Sequence, residues 1–152
     1  MSFDTSRPSA AQACDDGAVF EPVYPGTETG IGATITVRGP RSAAVREYAR
    51  QKYSKAQAKE QAARKAGKFS EDTPELDEID ESLTEMALVY TIGWTGMDKD
   101  GAALDFSPAA ARDLYTAHPW LREQVIAEGQ DLGKFVRPSA KSSLSTPGPS
   151  SS

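Results

Sequence analysis

The chain has 152 residues, 38% hydrophobic and 26% charged, with 17 basic residues against 22 acidic ones and a formal net charge of -5. About one domain fits that length, and a mean hydropathy of -0.51 describes a thin core that gains from a partner or from self-association. The lone Cys14 excludes an intramolecular disulfide, and no apolar run approaches the roughly 18 to 20 residues of a membrane helix.

Residues 1–17 carry only Phe3 as a bulky apolar group and are expected to form a disordered arm holding Cys14. The start MSFDTSRP lacks the basic flank and apolar block of a signal peptide, so the cytoplasm is the expected compartment. From Ile31 to Val37 apolar and small residues alternate, the period of a half-buried strand. Val19 to Tyr24 is its expected mate across a Pro-Gly turn, as an edge strand because Pro22 lacks a donor. Ser42 is placed to cap a basic helix over about 42–66, whose apolar face fades beyond Ala56.

Thr73-Pro74 predicts the start of a second long helix, about 74–95, with an acidic first turn. Leu76, Ile79, Leu83, Met86 and Tyr90 follow at alternating steps of 3 and 4, a seam that buries one face. Trp94 closes that helix, and Asp98 to Gly101 reads as a polar turn. Ser107 and Pro108 open a short helix over about 108–117, with Phe106 packing back on the body. A last helix over about 119–135 turns Leu121 and Val125 inward. Residues 136–152 are mostly Ser and Pro and are expected to be a disordered tail. The predicted fold is mainly α with a small N-terminal β-hairpin (α+β): one domain over 18–135 with about four helices.

Charge is segregated along this order. Between Arg46 and Lys68 eight basic residues face two acidic ones, a local +6; from Glu71 to Glu85 eight acidic residues stand without a cation, a local -8. Such blocks attract one another or their counterparts on a partner. Nucleic acid is the weaker match for the basic helix, because the acidic block competes for its cations and only Tyr48, Tyr53 and Phe69 could stack on bases.

No catalytic constellation, metal site or cofactor motif stands out. One histidine and one cysteine lie far apart, and His118 reads as a turn residue. A calcium loop counted from Asp98 would need Glu at its twelfth position, where Ala109 stands. The expectation is a non-enzymatic packing and interaction module. Trp94 belongs with its core, whereas Trp120 beside Arg122 is the better candidate for an exposed anchor.

The run Gly93-Trp94-Thr95-Gly96, Leu104-Asp105-Phe106-Ser107-Pro108, Leu114-Tyr115 and Pro119-Trp120-Leu121-Arg122-Glu123-Gln124-Val125, closing on Asp131 and Phe135, resembles the tail assembly chaperones of long-tailed bacteriophages and prophages. Tyr24-Pro25-Gly26-Thr27, Gly39 and Ser42 agree with it, although Ala109-Ala110-Ala111 replaces the polar pair frequent after Ser-Pro. The resemblance implies a protein that coats the helical tape-measure protein, brings tail-tube subunits to it in the host cytoplasm, and is absent from the mature virion. Partner contacts are then expected at Tyr115, Trp120, Arg122 and Phe135. The alternative is a structural accessory protein of the tail or head-tail junction, and a small nucleic-acid binder ranks below it.

Overall fold

Ala33, Ile35 and Val37 alternate with Thr34 and Thr36 and form the centre of the computed structural model, which describes residues 3–67 and 75–136. Strand β2 (Thr34–Val37) pairs antiparallel with β1 (Ala18–Phe20) on one side and with β3 (Thr91–Thr95) on the other. Its inward side chains, Ile35 and Val37, are buried. The expected hairpin is therefore present, with Val23 and Gly30 bridging nearer its turn, and the protein is mainly α with a small sheet.

The third strand corrects the helix predicted over 74–95. Helix α3 (Leu76–Tyr90) stops at Tyr90, and the Thr91 hydroxyl donates to the Ala87 carbonyl at 2.7 Å. Beyond it Thr91, Ile92 and Thr95 are β-branched and Gly93 favours helix poorly. A two-stranded hairpin is marginal alone, so this segment gains more by completing the β2 ladder than by another helical turn. Trp94 consequently sits on a strand opposite Ile35, still in the core, with its indole N–H donating to the Leu104 carbonyl at 2.9 Å. Phe106 packs edge-on against it at 5.0 Å between ring centres.

The arm is also corrected. Ser9 caps a helix, α1 (Ala10–Asp16), and Cys14 is fully buried. Gly39 makes this arrangement workable: its N–H donates to the Cys14 carbonyl at 3.0 Å, and any Cβ on it would overlap the Cys14 sulfur. Small residues can thus be anchored by close backbone approach, a signal that bulk apolar content misses.

Helix α2 (Ala43–Lys65) begins at Ser42, whose hydroxyl accepts from the Val45 N–H at 3.4 Å. Val45 is its buried residue, and from Ala49 onward every position but Ala63 is exposed. The expected cap of α3, Thr73-Pro74, lies outside the described residues, as do the acids before it and residues 137–152 of the expected tail; Glu75 holds the N-cap position without a side-chain bond.

The α3 seam is displaced from its predicted place. Leu76 is 72% and Ile79 42% exposed, Leu83 and Met86 are half-buried, and Tyr90 is buried as expected, with Thr84 and Ala87 buried beside it. Helix α4 (Pro108–Ala117) reaches α3 through the Arg112–Glu81 ion pair, and α5 (Pro119–Gln130) through Arg122–Asp80. The first turn of α3 stands beyond both. Periodicity identifies an apolar stripe but not how far the partner helix extends along it.

Asp98 to Gly101 forms a tight hairpin between β4 (Asp98–Lys99) and β5 (Ala102–Ala103). Asp100 and Gly101 both have positive φ, 51° and 80°, as this two-residue loop demands. Ser107 caps α4, accepting from the Ala110 N–H at 3.0 Å, with Pro108 in its first turn. The last helix ends at Gln130 rather than reaching Phe135; Asp131 accepts from the Gly133 N–H at 3.1 Å and opens a separate 3-10 turn, Leu132–Lys134. Leu121 and Val125 are buried as expected.

Candidate interaction site

Four side chains were expected to meet a partner, and two of them are interior. Tyr115 has no exposed surface, and its hydroxyl lies 2.7 Å from that of Thr91. Because the Thr91 proton goes to the Ala87 carbonyl, the Tyr115 hydroxyl is the donor of this pair. Burial pushes the Tyr115 phenol up to about 12. A tyrosine in the unfolded chain ionises near 10.0.

The sign of the resulting pH dependence follows from proton binding. Below pH 10 both states hold the proton and the stability is complete; between 10 and about 12 the unfolded chain loses it first. Unfolding free energy is expected to fall by on the order of 2 to 3 kcal/mol across that window. Urea midpoints measured below and above it check this, and Tyr115→Phe should flatten the fall.

Arg122 is 4% exposed and ties α5 to α3. Its guanidinium reaches Asp80 Oδ1 at 3.3 Å, and the Asp80 carbonyl and Thr84 Oγ1 at 3.4 Å each. With these bonds directed inward it is a structural tie, not an external contact. Its charge is buried only because Asp80 and the α3 backbone share it.

Trp120 and Phe135 are half-buried. Phe135 packs on Gly39, closing the body over α1. Trp120 stands in a surface aromatic group, its ring centre 6.0 Å from both Tyr24 and His118. Gln124 sets this geometry: its amide accepts from the Val23 N–H at 2.9 Å and donates to the Val23 carbonyl at 2.8 Å. That bidentate clamp holds the β1–β2 connection to α5 and keeps Tyr24, 48% exposed, beside Trp120. Neither Tyr24 nor Gln124 stood out as a site residue in the sequence, since nothing local marks a contact across 101 positions.

A cleft of about 470 Å³ adjoins the group through His118. Leu104, Ala110, Leu114 and Ala117 give it apolar walls, and Asp98, Lys99 and Asp113 supply charge. Apolar area beside an amphipathic aromatic anchor is the composition of a macromolecular contact. Among the described residues no group of three or more His, Cys, Asp or Glu could hold a metal ion, and no helix is long and apolar enough to cross a membrane.

Fold and surface together define a small α+β module with an aromatic strip and charge-segregated helices. The chain belongs to a prophage family: the family model described as YdaY prophage protein matches residues 40–144. This span starts after β2 and takes in α2 through α5, so it includes Trp120 and the cleft. No curated protein and no solved structure matches the chain.

Proposed function

We propose that this prophage protein is a tail assembly chaperone, which binds the helical tape-measure protein, helps recruit tail-tube subunits to it, and makes or breaks no covalent bond. The observation that carries the reading is the Tyr24–His118–Trp120 group with its adjoining cleft, inside a chain of the prophage family. An amphipathic client helix can lay its apolar face against such a strip. Half-buried rather than fully buried anchors favour contacts that form and dissolve repeatedly, as a helper that leaves before particle completion requires. The work is placed in the cytoplasm of the bacterial host.

Co-expression with the tape-measure protein of the same prophage tests it. The pair is expected to co-purify, and Trp120→Ala should weaken the complex roughly thirtyfold, the effect of a hot spot of about 2 kcal/mol. The same substitution should lower the stability of the isolated chain by no more than about 1 kcal/mol, because only part of the ring is buried. Melting of the isolated chain, with any surviving folded fraction binding normally, would return Trp120 to the core and sink the assignment.

A further inference from the structure

The face that α2 turns to α3 carries Val45, which is buried, Tyr48, which is half-buried, and Lys52, which reaches Glu85 at 3.9 Å. At helical spacing that face continues through Lys55, Ala56, Lys59 and Ala63. Lys55 and Lys59 are exposed and have no ion-pair partner among the described residues. The start of α3 has the opposite character. Glu75, Asp77 and Glu78 are exposed and likewise unpaired among the described residues, and they flank the exposed Leu76 and Ile79. Lys52–Glu85 is the one ion pair between the two helices among the described residues.

We propose that two copies of the chain pair through these faces, the outer half of α2 in each lying against the acidic first turns of α3 in the other. A second copy is the fitting occupant because one chain carries both complementary faces, which is what a two-fold, self-complementary interface needs. Ala56 and Ala63 leave room for Leu76 and Ile79 to approach the helix, while Lys55 and Lys59 meet Glu75, Asp77 and Glu78 around them. Pairing covers the exposed Leu76 and Ile79 of α3 and, among the described residues, sets unpaired lysines of α2 against unpaired carboxylates of α3. This surface is separate from the Trp120 strip, so it stands or falls independently of the chaperone reading.

Light scattering of the full chain after size exclusion tests the proposal. The expected mass is twice the 16.3 kDa of one chain, with dimer affinity falling as salt is raised. Lys55→Glu with Lys59→Glu, or Asp77→Lys with Glu78→Lys, should each lower self-affinity roughly tenfold or more through like-charge contacts. Mixing the two double variants should restore a dimer, because each then offers the sign the other lacks. That recovery also shows that both variants are folded, and closure of α2 onto α3 within one chain cannot produce it. A monomer at every concentration and salt, or no recovery on mixing, would overturn the proposal.

Discussion

Replacing Tyr115 by alanine is expected to leave the chain largely unfolded at 37 °C. The ring has no exposed surface and sits among the core residues of the sheet, α3, α4 and α5. Removing a buried aromatic side chain costs about 3 to 5 kcal/mol, a large share of the roughly 5 to 15 kcal/mol that holds a domain together. Tyr115→Phe separates the packing from the hydroxyl. It should cost only about 1 kcal/mol, because Thr91 keeps its bond to the Ala87 carbonyl. Urea denaturation followed by circular dichroism checks both values. A stable Tyr115→Ala chain that loses only its client would restore the surface role expected from sequence.

Gly129→Val is expected to be comparably damaging, at about 3 kcal/mol. A Cβ at this buried position would overlap the Tyr90 ring at its root, near Cγ and Cδ1, and turning the ring about its Cβ–Cγ bond leaves Cγ in place. Tyr90 is itself held, since its carbonyl accepts from the Arg38 N–H at 2.8 Å beside the sheet. Gly129→Ala sets two opposed effects against each other. Helix propensity alone predicts a gain of about 1 kcal/mol, whereas overlap with Tyr90 predicts a net loss. Thermal midpoints of the alanine and valine variants distinguish the two, and a raised midpoint for alanine would show that α5 can move off Tyr90.

Local chemistry was legible where a residue acts on its own neighbours. Ser42, Ser107-Pro108 and Asp100-Gly101 stand where caps and a tight turn require them. Long-range packing was not. The apolar run ending α3 continues smoothly into Thr91–Thr95, and only the presence of β2 alongside converts that stretch to strand. Cys14 looked unanchored because Gly39, which admits it, lies 25 positions away in sequence. The same blindness affected the candidate site. Tyr115 and Arg122 are expected partner contacts along with Trp120, yet they find interior partners in Thr91 and Asp80. Trp120 found Tyr24 and stayed at the surface.

As the proposed tail assembly chaperone, this prophage protein would assist assembly by reversible surface contact and then depart. Quantitative mass spectrometry of purified particles, set beside the lysate that produced them, tests it most directly. The expected result is abundant chain bound to tape-measure protein in the lysate and almost none in the particles. Recovery of the chain in finished particles at a fixed ratio to the tail-tube subunits would overturn the chaperone proposal and make the protein a structural component.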